Sequence, residues 1–336
     1  MADTTTTADY AIAVPHGGMI LIPACVEPGT DPYLRMTSAA QRRAYYEEHG
    51  YVVIRGLASD AACDAARAAY EREVKSYPGF LYRQATANPE KHVLAAHGHV
   101  LNSLLNIQDF DARRFPRFRA AGLDVITSPT MRAAVEGLLG GPGRVVQSMY
   151  FEGNPVTWAH QDTYYLDGEP LGSMTAAWIA LEDVHPGAGR FYVYPGSHRI
   201  DMARNGGDFD IAFHHDRYKT LVIDVVKKFG LQCRAPALNK GDVLFWSSKT
   251  IHGSLGTPEP AHSRSSITCH FIPASGRFMQ YQTRARQMRL ERVNDMDVHC
   301  PKNQSRLLNR AAMAVEVNFP GAFQLAKRLA VKALTR

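Results

Sequence analysis

The sequence lacks the features that mark membrane-spanning and secreted proteins. Its 336 residues contain no apolar run long enough for a membrane-spanning helix, which needs about 20 residues. Residues 1–7 include neither a basic stretch nor an apolar segment, so we expect no secretory signal. The cysteines are far apart and form no CxxC pair; they are Cys25, Cys63, Cys233, Cys269 and Cys300. This pattern predicts reduced thiols in a cytoplasmic protein and argues against a disulfide framework or a zinc–thiolate site.

The composition is that of a folded domain with a basic C-terminus. Hydrophobic residues make up 45% of the chain and charged residues 21%, which is ordinary for a protein with a large core. The net charge is +6, and residues 301–336 supply all of it, with seven basic residues and one acidic residue. The first 300 residues are therefore neutral overall, which argues against a nucleic-acid partner.

The pattern along the chain predicts one domain with an extension at each end. Residues 1–36 are rich in proline and glycine and predict an irregular N-terminal arm. We expect a single domain over residues 37–300, with long loops at 77–100 and 200–234 that are candidate lids. Residues 301–336 predict a basic helical extension of the same domain.

The domain is expected to combine helices with a β core, which is the α+β class. Cap and stop signals predict three helices; they lie at about 38–49, 61–75 and 129–139. Short β-rich runs between turn signals predict a sandwich or barrel at about 143–275. These runs are 145–151, 174–181, 190–193, 242–247 and 266–272.

The strongest chemical signal is the segment His160-Gln161-Asp162. In an extended segment, residues i and i+2 point to the same side, so His160 and Asp162 can present an imidazole and a carboxylate to one point. A second histidine from a distant strand would complete a set of two imidazoles and one carboxylate. Such a set binds Fe(II) on one face of its coordination octahedron and leaves the other three coordination positions open. The same spacing occurs in His214-His215-Asp216, and His97-Gly98-His99 is another local pair. Spacing alone therefore does not decide which of these motifs binds a metal.

A later region favours the first triplet. The turn Gly241-Asp242 leads into an apolar strand, and Thr250-Ile251-His252-Gly253-Ser254 follows. Arg264 lies twelve residues after His252, and the turn-rich residues 256–260 predict a hairpin that brings Arg264 beside the His252 strand. A guanidinium in such a pocket suits a dicarboxylate, because its planar fork binds a carboxylate through two hydrogen bonds.

Together these motifs resemble the phytanoyl-CoA dioxygenase family of Fe(II)/2-oxoglutarate-dependent oxygenases. The matching segments follow the family's order over residues 37–275; they are Gly50-Tyr51-Val52-Val53-Ile54-Arg55-Gly56, His160-Gln161-Asp162, Trp178, Tyr194-Pro195-Gly196-Ser197-His198, Gly241-Asp242, His252-Gly253-Ser254, Arg264 and Ile267-Thr268-Cys269-His270-Phe271. The resemblance implies a double-stranded β-helix core of the jelly-roll or cupin-like type, with flanking helices. It also implies Fe(II), 2-oxoglutarate and O₂ as cofactor and cosubstrates.

The resemblance assigns roles to individual residues. It implies that His160, Asp162 and His252 are the catalytic iron ligands and that Arg264 binds the distal carboxylate of 2-oxoglutarate. It further implies that four residues line or adjoin the cosubstrate pocket; they are Ser254, Trp178, Met149 and Gln161. The family has a lysine before a Gln-Asp-Phe segment, whereas Asn106 and Ile107 precede Gln108-Asp109-Phe110 here.

The activity implied is the oxidation, above all the hydroxylation, of an unactivated C–H bond in a small organic substrate. Specialised-metabolite or lipid metabolism is the expected setting, with release of succinate and CO₂. A carboxylate at Asp162 favours this over halogenation, since related halogenases have a small residue at that position. Two other classes stay open from the residues alone: a non-catalytic β-barrel binding module, and a cupin-like metal-dependent isomerase or hydrolase.

Two further interpretations concern the tail and the pocket. Residues 321–336 alternate apolar and basic side chains at helical spacing, which predicts an amphipathic helix. Its basic face is either solvated or in weak contact with an anionic membrane surface or an acyl carrier. Tyr164 and Tyr165 are candidate pocket residues, and Cys269 and His270 are interpreted as packing residues.

Overall fold

The computed structural model describes residues 9–321 and residue 323. Within these residues the α-helices are α1 (Ala39–His49), α2 (Asp60–Ala69), α3 (Pro116–Thr127), α4 (Pro129–Leu139), α5 (His215–Lys228) and α6 (Leu307–Asn318). The strands are β1 (Tyr10–Ala13), β2 (Met19–Ile22), β3 (Tyr51–Ile54), β4 (Leu81–Tyr82), β5 (Pro89–Glu90), β6 (Leu104–Leu105), β7 (Gly143–Phe151), β8 (Leu166–Gly168), β9 (Thr175–Ala180), β10 (Phe191–Val193), β11 (Val243–Ser247), β12 (His252–Ser254), β13 (Ser266–Pro273), β14 (Phe278–Gln280), β15 (Arg284–Arg286), β16 (Leu290–Val293) and β17 (Met296–His299).

The strands form the double-stranded β-helix core that was expected. The larger sheet has eight strands in the order β16-β17-β7-β13-β9-β11-β3, with β6 also paired to β7. Smaller sheets are formed by β10 with β12 and by β15-β14-β8. The larger sheet packs on the β10 strand through Phe191, whose ring lies 4.7 Å from that of Trp246 and 6.1 Å from that of Trp178. The fold is therefore α+β, with the jelly-roll core between flanking helices.

Alternation along the strands gives the larger sheet two different faces. On β13, Ile267 and Cys269 are fully buried in the cluster that also contains side chains of α2, α3 and α4. Thr268 and His270 point to the other face, because successive residues of a strand alternate between faces. The helices thus cover the outer face, and the inner face is free to build a site.

Two of the predicted helices begin and end where the sequence indicated. In α1, the Ser38 side chain accepts a hydrogen bond from the Gln41 amide and the Gln41 side chain accepts one from the Ser38 amide, which is a capping box. The helix ends at Gly50, whose φ of +79° suits glycine. In α4, Ser128 is the N-cap and Pro129 follows at the first position.

The segment 200–234 is not the irregular loop that was predicted. It contains α5, an amphipathic helix whose buried side chains include Tyr218, Val222 and Val225. These positions recur at spacings of four and three residues, which is the helical period. The polar residues between them hid that period in the sequence.

The ends of the chain also differ from expectation. The N-terminal arm contains a two-stranded hairpin of β1 and β2, held in place by the buried side chains of Ile12 and Ile22. Strands continue past residue 275, and β17 pairs in parallel with the start of β7. The sheet is therefore longer than the expected range of 143–275.

The predicted basic helix at 321–336 lies almost entirely outside the described residues. Within the described part, α6 ends at Asn318 and residue 323 donates a backbone hydrogen bond to Phe319. None of the helices in the described ranges is both long enough and apolar enough to cross a membrane.

Candidate active site

The backbone holds His160 and His252 side by side. His160 lies in the segment that follows β7, and His252 begins β12. The amide of each residue donates a hydrogen bond to the carbonyl of the other, over 3.0 and 2.9 Å. Their ring centroids are 4.3 Å apart. The distant histidine that the HxD triplet requires is therefore His252.

Each of the two imidazoles is oriented by a carbonyl of its own segment. Nδ1 of His160 donates to the Trp158 carbonyl over 2.9 Å, and Nδ1 of His252 donates to the Thr250 carbonyl over 2.9 Å. A carbonyl only accepts, so each neutral ring carries its proton on Nδ1 and keeps a free lone pair on Nε2. Both Nε2 atoms lie 3.5 Å from Oδ1 of Asp162. The three atoms face one point, which is the arrangement of a two-histidine, one-carboxylate metal site.

The other oxygen of Asp162 is held by the larger sheet. Nε1 of Trp246, on β11, donates to Oδ2 over 2.8 Å. Nε2 of His270, on β13, lies 3.5 Å from the same oxygen. Oδ2 is thus occupied by the protein and Oδ1 is left to an ion. Partners of this kind orient a ligand and tune its basicity.

The charges of these groups suit metal binding at neutral pH. Burial acts to raise the pKa of Asp162, but the neighbouring His252 and His270 hold that pKa well below its usual range. Burial lowers the pKa of His252 to about 3. The site therefore offers an ionised carboxylate and a neutral imidazole, the forms that bind a metal.

His270 is a site residue that the sequence interpretation assigned to packing. Its exposed fraction is 2%, and within the described residues neither ring nitrogen has a hydrogen-bond partner. Cys269 beside it does pack in the outer core, as expected. The alternation of apolar Ile267 and Cys269 with polar Thr268 and His270 was the signal available in the sequence.

Arg264 is buried without a carboxylate beside it among the described residues. Its exposed fraction is 2%, its Nη1 donates to the Gly189 carbonyl over 3.1 Å, and its Nε has no partner there. Its guanidinium lies 5.4 Å from the centre of the Phe151 ring. Burial lowers the pKa of Arg264 to about 9, so the group stays charged at neutral pH. An uncompensated buried charge is costly, and the guanidinium is therefore suited to an anionic ligand.

Arg264 reaches its place by a different route from the predicted hairpin. β12 pairs with β10, whereas β13 pairs with β7 and β9 in the larger sheet. The hairpin between the His252 strand and the Arg264 strand is therefore wrong, because the two strands belong to different sheets. The Arg264 amide instead donates to the Glu152 carbonyl, at the end of β7, over 2.8 Å.

Ser254 and Gly189 meet at the side chain of Asn154. The Ser254 hydroxyl accepts from the Thr157 amide over 2.7 Å and donates to Oδ1 of Asn154 over 2.8 Å. A Cβ on residue 189 would lie 2.0 Å from Nδ2 of Asn154, and φ of Gly189 is +83°, so glycine is required. The described bonds of Ser254 fix the loop that leads to His160.

Trp178 and Met149 line one row of the inner face. Both pair across the sheet with Thr268, from β9 and β7 respectively. Both side chains are buried, with exposed fractions of 1% and 6%. Thr268 precedes His270 by two residues and points to the same face of the sheet. Trp178 and Met149 therefore lie next to the position of His270, the side chain that approaches Asp162.

Gln161 points away from the metal-ligand atoms. Its side-chain amide donates to the Lys249 carbonyl, and its backbone amide donates to the Tyr218 hydroxyl over 3.0 Å. In an extended segment, successive residues point to opposite sides. Gln161 lies between His160 and Asp162, so its side chain points to the side opposite theirs. The hydrogen bonds of Gln161 therefore anchor the segment that carries His160 and Asp162.

Asn106, where the family has a lysine nearby, is bound within the protein interior. Its Nδ2 donates to Asp109 over 3.0 Å, its Oδ1 accepts from Gln108 over 3.3 Å, and its amide donates to the Ser148 carbonyl over 2.6 Å. Burial raises the pKa of Asp109 to about 7. Asn106 thus supports the segment before α3 and adds no positive charge to the site.

Aromatic side chains cover one side of His160. The rings of Trp158 and Tyr165 lie 5.3 and 5.8 Å from its ring, and His215, the first residue of α5, lies 5.2 Å from Trp158. The Tyr165 hydroxyl is buried and has no partner in the described part of the chain. Tyr164 instead donates to a backbone carbonyl and packs in the core. Of the two candidate pocket tyrosines, Tyr165 is the one beside the site.

The alternative histidine motifs are elsewhere. His214 and Asp216 are exposed at the start of α5. His99 lies 3.6 Å from a carboxylate oxygen of Glu152, and His97 is exposed. In residues 9–321, a further set with metal-ligand spacing consists of His185, Glu259 and His262.

Comparison with known sequences gives a consistent family. The model of the family described as phytanoyl-CoA dioxygenase (PhyH) matches residues 46–263. The peroxisomal phytanoyl-CoA dioxygenase of Bos taurus is 27% identical over 262 residues, covering 72% of this chain and 71% of that protein. The ectoine dioxygenase of Halomonas elongata is 27% identical over 265 residues, covering 69% and 77%.

Solved structures share the fold. SnoN, the non-heme alpha ketoglutarate dependent epimerase of nogalamycin biosynthesis, aligns with a TM-score of 0.57 at 17% identity, covering 78% of this chain and 98% of that one. EctD from S. alaskensis, in complex with 2-oxoglutarate and 5-hydroxyectoine, aligns with a TM-score of 0.53 at 18% identity, covering 80% and 93%. With the family match over more than half of its length, the chain belongs to the phytanoyl-CoA dioxygenase family and is a non-haem Fe(II)/2-oxoglutarate-dependent oxygenase.

Proposed function

We propose that this oxygenase hydroxylates an unactivated C–H bond of a small organic substrate in specialised-metabolite or lipid metabolism. The observation that carries the proposal is the approach of Nε2 of His160 and of His252 to Oδ1 of Asp162, each over 3.5 Å. Both Nε2 lone pairs are free, and Oδ2 is already bonded to Trp246. These three residues would hold Fe(II) on one face and leave the other positions for 2-oxoglutarate and O₂.

The surroundings fit 2-oxoglutarate as well. The unpaired, buried guanidinium of Arg264 would bind the distal carboxylate, with Trp178 and Met149 as walls of the pocket. Ser254 and Gln161 would contribute by fixing the segments that carry the ligands. With iron bound, one oxygen atom of O₂ would enter succinate as 2-oxoglutarate loses CO₂, and the other would become the hydroxyl group of the substrate.

The residue at position 162 supports hydroxylation over halogenation. With iron bound, the carboxylate of Asp162 would take the coordination position that an external halide would need. The chain's task is then to orient one C–H bond and to exclude water. Trp158 and Tyr165, which cover His160, are placed for both.

The substrate class is inferred from the same wall. Trp158 and Tyr165 present apolar surface. The Tyr165 hydroxyl has no hydrogen-bond partner among the described residues, so it can form one hydrogen bond with a ligand. A mainly apolar small molecule with one polar group suits this wall. Phytanoyl-CoA and ectoine, for which the relatives are named, are the first compounds to try.

The site assignment is tested by following succinate formation from 2-oxoglutarate under air. The assay contains Fe(II), and a compound panel that includes phytanoyl-CoA and ectoine. His160→Ala and Asp162→Ala should abolish succinate formation, with and without a compound present, because each removes a ligand. Mass spectrometry should find one added oxygen atom in the compound that stimulates turnover.

The second HxD triplet supplies a matched control. His214→Ala and Asp216→Ala make the same changes at exposed positions and should keep wild-type turnover. Unchanged turnover in both His160→Ala and Asp162→Ala would reject the assignment. A stimulating compound that gains chlorine, or no oxygen atom, would reject hydroxylation.

The proposal also covers location and the tail. We place the protein in the cytoplasm, since its separated cysteines suit a reducing compartment. We assign to the basic residues after 320 a weak contact with an anionic membrane surface or an acyl carrier. Liposome co-sedimentation tests the membrane contact: binding that is insensitive to salt and to deletion of 320–336 would reject it.

A further inference from the structure

Three potential metal ligands meet on the surface, apart from the iron-ligand set. His185 precedes the short 3₁₀ turn Pro186–Ala188, and Glu259 and His262 lie in the loop between β12 and β13. The ligand atoms of the three side chains all lie within 4.8 Å of one another. We call these residues the His185–Glu259–His262 cluster.

The spacing within this cluster matches that of a metal site. Oε2 of Glu259 lies 3.8 Å from Nδ1 of His185 and 3.5 Å from Nε2 of His262. Ligand atoms of a tetrahedral zinc ion are about 3.3 to 3.6 Å apart, given bonds of about 2.0 to 2.2 Å. The corresponding separations around Asp162 are 3.5 Å. The two imidazole rings are nearly parallel and a metal binds in the plane of each ring, so rotation of these exposed side chains is needed to direct all three ligand atoms at one ion.

Glu259 is already positioned for such a role. Its other oxygen, Oε1, accepts a hydrogen bond from the Tyr10 hydroxyl over 2.7 Å. Its backbone amide donates to the Gly187 carbonyl over 3.1 Å, and a Cβ on Gly187 would come within 2.9 Å of its side chain. The carboxylate is thus fixed from one side, with Oε2 facing both imidazoles.

The two imidazoles are close and open to solvent. The rings of His185 and His262 are stacked, with centroids 3.8 Å apart and an angle of 10° between planes. The side chains of His185, Glu259 and His262 are 36%, 39% and 47% exposed, so an ion enters without unfolding. The ion would replace the hydrogen bond of 3.1 Å that Nδ1 of His185 accepts from the Gly187 amide.

We propose that the His185–Glu259–His262 cluster binds a divalent ion of the zinc class. Two imidazole nitrogens and one carboxylate oxygen are typical zinc ligands, and water can complete a tetrahedron. Mg²⁺ and Ca²⁺ are disfavoured, because they prefer sites built from oxygen. The site is independent of the iron ligands and of any role assigned to them.

Such an ion would connect two loops that also support Arg264. The loop of His185 continues to Gly189, whose carbonyl accepts from Arg264, and the loop of Glu259 and His262 leads directly into Arg264. Cross-linking these loops would reduce the motion of the Arg264 backbone. An effect on 2-oxoglutarate rests on the function proposed for Arg264, whereas binding of the ion does not.

The test counts zinc ions on the full-length protein. Chelator-treated protein is dialysed against Zn²⁺, and bound zinc is measured by mass spectrometry of the metal. The His252→Ala background removes one of the three residues of the iron-ligand set and so weakens that site, and the remaining tight ion reports on the cluster. Adding Glu259→Gln, which retains an acceptor for Tyr10, or His262→Ala should remove that ion. His97→Ala, at another exposed histidine, should retain it.

Hydrogen exchange gives the position of the ion independently of stoichiometry. In the His252→Ala protein, Zn²⁺ should slow exchange in residues 185–190 and 256–263, and Glu259→Gln should cancel this protection. Equal zinc content in Glu259→Gln, His262→Ala and His97→Ala would overturn the proposal. Protection elsewhere, with both loops unchanged, would also overturn it.

Discussion

The indole of Trp246 donates a hydrogen bond of 2.8 Å to Oδ2 of Asp162, while Oδ1 of the same carboxylate faces His160 and His252. Oδ2 is therefore bonded to the protein, and Oδ1 is left to bind the ion. Asp162 is thereby set to bind through one oxygen only. A carboxylate bound through both oxygens would take a position that a cosubstrate needs.

Removing that bond should weaken iron binding. We expect Trp246→Phe to lower the affinity for Fe(II) about 10-fold, as is usual when an outer partner of a ligand is lost. Anaerobic titration of the metal alone measures this. Trp178→Phe is the matched control, because Trp178 is equally buried and makes no described bond to Asp162. Equal affinities in the two variants would contradict the role of Trp246.

His270 should affect both metal binding and stability through Asp162. It is one of the groups that hold the pKa of the buried Asp162 low, and its Nε2 lies 3.5 Å from Oδ2 of that carboxylate. We expect His270→Leu to lower the unfolding free energy of the metal-free protein at neutral pH by about 1 kcal/mol, because a buried charge loses a neighbour that favours it. Its Fe(II) affinity should fall several-fold, because Oδ2 of Asp162 loses a neighbour.

Chemical denaturation and metal titration test this pair of outcomes. Cys269→Ala is the control on the opposite face of β13, and it should lower stability without changing Fe(II) affinity. A large loss of stability in His270→Leu with wild-type metal affinity would return His270 to a packing role.

Arg264 should determine the affinity for 2-oxoglutarate. We expect Arg264→Gln to raise the KM for 2-oxoglutarate at least about 30-fold, since losing one partner of a buried charge pair costs at least about 2 kcal/mol. Steady-state kinetics with varied 2-oxoglutarate measures the change. Arg277→Gln, at an exposed arginine paired with Glu169, should keep the wild-type KM. An unchanged KM in Arg264→Gln would show that Arg264 does not bind 2-oxoglutarate.

Asp109 should make stability depend on pH. Burial raises its pKa to about 7 from an ordinary value of 3.8, so the folded state holds this proton more tightly than the unfolded state. Its stabilising effect is complete below about pH 4 and is lost as pH rises to about 7. Thermal unfolding from pH 4 to 8 should show this decline in the wild type and a smaller decline in Asp109→Asn. Parallel profiles would contradict the assignment.

The residues proposed as iron ligands could be picked out in the sequence because their signals are local and ordered. The pair His160 and Asp162 follows from two-residue alternation, and the family's order of motifs singles out His252 and Arg264. The capping residues of α1 and α4 were equally visible, because a cap depends only on a few neighbouring residues. These features need no knowledge of which strands pair.

What failed depends on contacts between distant parts of the chain. The hairpin between β12 and β13 was wrong, since turn residues do not reveal that the next strand crosses to the other sheet. The meeting of Trp246 and His270 at Asp162 needs the register of β11, β9 and β13, which no local pattern contains. The cluster of His185, Glu259 and His262 was missed for the same reason, because its two loops are joined only in the folded chain.

The parallel pairing of β17 with β7 has a practical consequence for anyone shortening this protein. Asp297 and Val298 pair with Arg144 and Val145, and β16 pairs in turn with β17. A version truncated near residue 275 would leave the first half of β7 as a bare edge strand, with backbone amides and carbonyls ready to pair with another molecule. Such a version should aggregate even with His160, Asp162 and His252 intact, so expression designs must retain residues 290–299.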